Sequence, residues 1–398
     1  MKKFLTVLCA LLLVPTLATA NSDMVSISEL RQQVGAMGRW IQTYTDQKGR
    51  TVDVDISPIL PDIEAVPVIT VQKPENARQS VDRVCIPSMT TEKYEDDAIV
   101  VDYANADTGD QMKIQFFEIT DQMIRIEYQN TKTKMQSDPN AFETTSGRAI
   151  CSNEVDWAKA YLDGYDLTPQ EAVEHANNEM TKLFPNWNLQ LEAEWIEIVN
   201  NSVPLYVCEM RQRIEDIPIL IGAQSPVIAV RDAEFKKPKI WGKIGNSRWG
   251  DFRMPTWGFH YWVDGSYSFI MVPLLLKDVL ETDVPLSSFE RVIQSIEAQI
   301  EAGHIRQIYA LRFGYCCYEG KSGETELHPV WEVECEYYYS AKTKTESYDE
   351  RYGEIPVTSE LYYRTMIVNA QTGEFVDPAK LMDRVFDCPD TITWEDVQ

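Results

Sequence analysis

Cys316, Cys317, His328 and Cys335 fall within the stretch CCYEGKSGETELHPVWEVEC. Thiolates and imidazoles bind zinc, and thiols close in space form disulfides. The spacing lacks the close-set ligand pairs of a zinc site, and the chain has no Cys-x-x-Cys. A metal site is therefore the weakest reading. The others are a cross-strand disulfide from Cys335 to Cys316 or Cys317, and plain buried thiols. The histidines are His175, His260, His304 and His328, and none forms His-Glu-x-x-His or His-x-His. There is no Gly-x-Ser-x-Gly elbow and no phosphate-cradling glycine loop. His175 and His328 read as surface, satisfied or loop histidines. The stretch DYANADTGDQ, with Asp102, Asn105, Asp107 and Asp110, does not match calcium-loop spacing and reads as a hairpin turn. No catalytic residue, cofactor or metal ligand is expected. An unmarked carboxylate pair acting as general acid and base keeps a hydrolase as the least supported reading.

One segment departs from the composition of the rest. FKKPKIWGKIGNSRWGDFRMPTWGFHYW, residues 235–262, holds Trp241, Trp249, Trp257 and Trp262 among six cationic side chains. Aromatic faces stack on sugars and cations, and local positive charge attracts anions. Trp241, Trp249, Trp257, Lys237, Lys243 and Arg248 are thus candidates for a surface that binds a glycan or an anionic wall polymer. The alternative is an insertion whose tryptophans pack on a sheet while its lysines stay solvated.

The bulk properties narrow the classes. The 398 residues carry 37 Lys+Arg against 62 Asp+Glu, a formal charge of −25, and 44% are apolar. Such a balance disfavours nucleic acid as a partner. The apolar share suits a globular protein with a full core, and the length suits two or three domains. Lys2 and Lys3, the apolar residues 4–14 and the small-residue site Ala18-Thr19-Ala20 predict a secretory leader cleaved after Ala20. The expectation is a secreted or cell-surface protein, with a retained anchor as the alternative. Seven cysteines follow: Cys85, Cys151, Cys208, Cys316, Cys317, Cys335 and Cys388. The number is odd, so at least one stays free or pairs between chains. The longest later apolar run, residues 269–276, contains Pro273 and suits a buried strand.

The positioning elements follow from periodicity and punctuation. Residues 26–40 predict a short helix. DAIVVDY, QMKIQFFEI and QMIRIEY predict an antiparallel meander. In LTPQEAVEHANNEMTKLF, Thr168 is an N-cap, Pro169 the first helical residue and Glu171 the capping-box partner. Ala172, Ala176, Met180 and Leu183 form the apolar face. PLSSFERVIQSIEAQIEAG repeats the pattern, with Ser287 as cap, Glu290 in the box and Gly303 as the stop. Its face is Phe289, Val292, Ile293, Ile296 and Ile300. Each helix precedes strands: LQLEAEWIEIV and PLYVCEMRQRI after the first, IRQIYALRFGYCCYEG and HPVWEVECEYYY after the second. Each set closes in a hairpin, turning at Asp264-Gly265 and at Asn369 to Gly373.

Glu171-Ala172 with Ala176, Trp331 and Val333, then Val368-Asn369-Ala370 and Thr372-Gly373-Glu374, resemble the PepSY-type module. The tandem arrangement resembles the YycH/YycI-like ectodomains and uncharacterised secreted or lipoprotein families of Gram-positive bacteria. The resemblance covers residues 157–378. It implies an α+β fold of antiparallel sheets with one helix per module, probable duplication, and an extracytoplasmic interaction or regulatory role toward a protein partner. It implies no catalytic residues. The expected organisation is a leader (1–20), a mainly antiparallel β region (21–155), a first module with the Trp-rich insertion (156–280), and a second module with a C-terminal tail (281–398).

Overall fold

The computed structural model describes residues 24–75, 77–84, 89–95, 98–117, 124–130, 143–148, 168–200, 205–220, 227–230, 239–243, 257–262, 264–319, 323–339 and 360–376. The expected leader lies outside them. The fold is α+β, with antiparallel sheets and a strand-rich N-terminal region. Four helices occur among the described residues: α1 (Ile27–Met37), α2 (Ala77–Val84), α3 (Pro169–Leu183) and α4 (Phe289–Glu301). None of them is long and apolar enough to cross a membrane.

Local chemistry explains three of the four helices. Ser26 caps α1 in a reciprocal capping box with Glu29, and Ile27, Leu30 and Val34 turn inward at helical spacing. Gly38 ends α1 at φ 61°, where a glycine carries no Cβ penalty. Thr168 caps α3 in a box with Glu171, and Pro169 opens the helix. Its buried face is Ala172, Ala176, Met180 and Leu183. The cap of α4 is Ser288 rather than Ser287, so the expected box with Glu290 does not form. Ser287 belongs instead to a two-residue strand, and its N–H donates to Ala370 O at 2.7 Å. Phe289, Val292, Ile293, Ile296 and Ile300 face the core.

The strands follow in order. Around α1 lie β1 (Met24–Val25), β2 (Trp40–Thr45), β3 (Thr51–Ile56) and β4 (Val68–Gln72). After α2 come β5 (Met89–Glu95), β6 (Ala98–Ala104), β7 (Gln111–Phe117), β8 (Ile124–Gln129) and β9 (Glu143–Arg148). After α3 come β10 (Gln190–Asn200), β11 (Leu205–Ile214), β12 (Ile217–Pro218), β13 (Val227–Val230) and β14 (Lys239–Lys243). They are followed by β15 (Trp257–Trp262), β16 (Tyr267–Met271), β17 (Leu275–Glu281) and β18 (Leu286–Ser287). After α4 come β19 (Ile305–Glu319), β20 (Thr325–Tyr339) and β21 (Glu360–Asn369).

These strands build two large sheets. The first has the order β5-β6-β7-β8-β16-β15-β11-β10-β9, with β12 on β11. The second runs β14-β13-β21-β20-β4-β17, with β19 along β20. Helices α3 and α4 each lead into a three-stranded antiparallel meander, β10-β11-β15 and β19-β20-β21. Both hairpins turn where glycine supplies a positive φ, Gly265 at 83° and Gly373 at 71°.

The side chains sort into two cores. One joins α1, β2 and β3 to α4, β19, β20 and β21, with Trp331 and Leu311 fully buried. The other joins α2 and β6–β8 to α3, β10, β11 and β15–β16, with Phe259, Phe269 and Met180 fully buried. The N-terminal stretch thus contributes to both cores. The apolar run 269–276 is not one buried strand. Met271 closes β16 in one core, Leu274 enters the other, and Leu276 emerges at 41% exposure on β17. Gln212 of β11 staples this crossing: its side-chain amide donates to Leu274 O, and its Oε1 accepts from Leu274 N at 3.0 Å.

Candidate functional site

A group of buried ionisable side chains lies where the two sheets meet. In β19 and β20, residues of one face serve the apolar core. Arg312, Cys316, His328, Glu332 and Glu334 alternate onto the opposite face, and all are buried. Arg312 stands opposite Glu332 across the ladder, with Nη2 2.5 Å from Glu332 Oε1 and 3.4 Å from Glu334 Oε2. Arg211, on β11 of the other sheet, reaches the same Glu332 oxygen at 3.1 Å. Two cations and two carboxylates therefore pair with each other away from water, and pairing is the condition under which buried charge is tolerated. Gly314 allows the approach. A Cβ there would meet Pro218 O and Leu220 Cγ at 2.5 Å.

The thiols of this region are closed. Cys208, Cys316, Cys317 and Cys335 are buried, and no disulfide joins them. Of the two thiol readings, the buried-thiol one holds here and the cross-strand disulfide does not form, and strand register explains why. Cys316 lies opposite His328 and Cys317 opposite Leu327, whereas Cys335 lies opposite Ile308. At about 3.4 Å per residue, Cys335 is roughly 24 Å beyond His328 along β20. Burial, followed by the Glu332 charge, pushes the Cys316 thiol up, and burial pushes Cys208 up to about 12. A thiol held neutral is a poor nucleophile. No group of three or more His, Cys, Asp or Glu among the described residues is arranged to hold a metal ion.

His328 Nε2 lies 2.6 Å from Glu326 Oε2, and the ring sits edge-on to Tyr318. Burial lowers its pKa, opposed by the hydrogen bond and charge of Glu326. His175, on α3, stacks on Tyr261 at 4.5 Å and meets the edge of Tyr267 at 5.5 Å. Tyr267 donates to Glu179 at 2.7 Å. Burial lowers the His175 pKa. His304 Nδ1 lies 3.0 Å from Gln299 Oε1 just past the end of α4. His260 packs edge-on to Trp262.

The Trp-rich candidates divide between the sheets. Trp241 and Lys243 lie on β14 at one end of the second sheet, and Trp257 begins β15 inside the first. Trp249, Lys237 and Arg248 lie outside the described residues. Asp102 lies on β6, and residues 105–110 form the β6–β7 turn, where Asn105 Oδ1 accepts from the N–H groups of Asp107 and Thr108.

Among the described residues, two surfaces stand open. A groove of about 820 Å³ lies between α1, β2 and the start of α4, lined by Gln33, Trp40, Phe289, Arg291, Gln294 and Glu297. Its polar groups are partly engaged. Phe289 N–H donates to Gln33 Oε1 at 2.7 Å, and Tyr44 OH donates to Glu297 at 2.5 Å. The second surface is β17, outermost in its sheet, with every residue after Leu275 exposed. Sequence reasoning missed the Arg211–Arg312–Glu332–Glu334 group. Its one signal was the pairing of opposite charges along two neighbouring strands.

No family model matches the chain, and no curated protein matches it. A crystal structure of an uncharacterized protein from Eubacterium rectale ATCC 33656 is similar at 12% sequence identity. The match covers 87% of this chain and 98% of that one, with a TM-score of 0.47.

Proposed function

We propose that the chain is a non-catalytic extracytoplasmic protein that binds a protein partner through a tandem pair of PepSY-like helix-and-meander units. The observation that carries this reading is the closed charge group between the sheets. Arg211, Arg312, Glu332 and Glu334, the strongest chemistry among the described residues, are at most 4% exposed and engage each other. A catalytic group must reach substrate, directly or through one water. These groups instead join one sheet to the other and leave the outer surfaces for recognition. The leader-like N-terminus supports placement outside the cytoplasm.

The test is affinity capture from a cell-surface extract with the purified full chain as bait, analysed for protein and for glycan. A specific protein that recaptures the bait in the reverse experiment supports the reading. A glycan bound in place of protein favours the wall-polymer role of residues 236–262. Turnover of a wall substrate that survives loss of every bound protein would overturn the non-catalytic reading.

A further inference from the structure

Strand β17 ends the second sheet, and β4 is its only ladder partner among the described residues. Exposed sheet edges present unpaired backbone groups, and proteins usually blunt them with charge or bulges. β17 carries two register shifts, between Leu276 and Asp278 and between Val279 and Glu281. These shifts break the in-out alternation of an ordinary strand. Every residue from Leu276 to Glu281 is exposed, and three of them are apolar: Leu276, Val279 at 48% and Leu280 at 47% exposure. Val279 and Leu280 are consecutive, so this short edge strand leaves a cluster of large apolar side chains uncovered among its charged ones.

The surroundings are acidic. Asp278, Glu281 and Asp283 flank the cluster, and Glu324 and Glu326 lie at the start of β20, which pairs with β4 one strand inward. Against them stand Lys73 and Lys277. Glu281 is near enough to the buried His328 to act on its charge. A second copy of this chain would bring the same acidic edge and a formal charge of −25, so self-pairing is opposed by repulsion. We propose that the β17 edge docks an extended, lysine- or arginine-bearing segment of another protein. The segment would add a strand to the sheet, with apolar side chains on the Leu276–Val279–Leu280 cluster and cations toward Asp278 and Glu281. This proposal rests on the interaction reading above and names the surface and the partner's chemistry.

The test is fluorescence anisotropy of the full chain with a labelled eight-residue peptide of alternating lysine and valine. The controls are a glutamate–valine peptide and a lysine–valine peptide interrupted by proline. The proposal expects the lysine–valine peptide to bind at least tenfold more tightly than either control, and more weakly as salt rises. The double substitution Val279→Lys and Leu280→Lys replaces exposed side chains, so circular dichroism and melting should stay unchanged while affinity drops tenfold or more. Equal binding of the three peptides, or full affinity in the double variant, would overturn the proposal. A surface-extract partner captured equally by wild type and double variant would also overturn the edge site, while leaving the general interaction reading in place.

Discussion

The meanders behind α3 and α4 share their topology but differ in how many faces they bury. In β16, which pairs with β15 and extends the first meander's sheet, burial alternates: Tyr267, Phe269 and Met271 are inside, while Ser268 is half-buried and Ile270 exposed. In β19 every residue from Ala310 to Tyr318 is buried. In the sheet behind α3, β16 and the Leu205–Cys208 end of β11 bury alternate residues, as a sheet covered on one face does. The α4 meander has its helix on one face and the other sheet's Arg211 and Leu220 against the other. The transition is visible within β11. Tyr206 and Cys208 are buried and Leu205 and Val207 half-buried, and then Met210, Arg211 and Gln212 are buried in succession where the sheets meet. A one-faced sheet needs only apolar alternation. A two-faced sheet whose second side carries charge must pair that charge internally.

Several substitutions sharpen or break this contrast. The largest effect is expected for Glu332→Ala, which takes a shared carboxylate from two buried guanidiniums. It should cost about 3–5 kcal/mol in urea unfolding. Ser268→Ala, on the half-covered face of β16, should stay within about 0.5 kcal/mol. Equal costs would remove the distinction between the two sheets.

Glycines separate the regions next. Gly314→Ala forces a methyl against Pro218 O and Leu220 at the closed junction and should cost about 1–3 kcal/mol. Gly35→Ala, in α1, meets nothing within 4 Å and should stabilise by about 0.5–1 kcal/mol. Thermal melts of the two variants should therefore move in opposite directions.

The helix caps give a smaller effect. Thr168→Ala and Ser288→Ala should each cost about 1 kcal/mol, whereas Ser287→Ala should leave the cap of α4 intact. A larger loss at Ser287 than at Ser288 would restore the earlier cap position.

The smallest is a pH slope. Burial lowers the pKa values of His328 and His175 in the folded chain. The unfolded chain, titrating near about 6.5, binds these protons first. Their stabilising contribution is therefore present above about pH 6.5 and is lost as the pH falls through the folded values. His328→Asn should flatten the stability-versus-pH curve below about pH 6.5, and an unchanged slope would contradict the assignment.

Helix α3 was fully legible, because Thr168, Pro169, Glu171 and the Ala172–Ala176–Met180–Leu183 face are all local signals. The cap of α4 shifted by one residue because Ser287 and Ser288 are adjacent, and the choice is made by a distant contact, Ala370 O. Helix α2 carried little signal: only Val81 is fully buried in ARQSVDRV. The charged face of β19–β20 was not legible as interior. Arg312, Glu332 and Glu334 alternate with apolar residues as solvent-facing residues do, and only Arg211, about a hundred residues earlier, reveals what covers them. The exposed end of residues 269–276 was hidden for a similar reason. Hydropathy does not report which sheet a residue joins.

The sheets are locked together through a closed charged face, and β17 is the edge proposed to receive a partner. Hydrogen exchange read by mass spectrometry, on the full chain with and without the lysine–valine peptide, tests both parts at once. Amides of β20 should exchange slowest and those of β17 rapidly in the free protein, with protection rising at β17 when the peptide is present. Protection of β17 equal to that of β20 in the free chain, or no change at β17 on adding the peptide, would contradict the account.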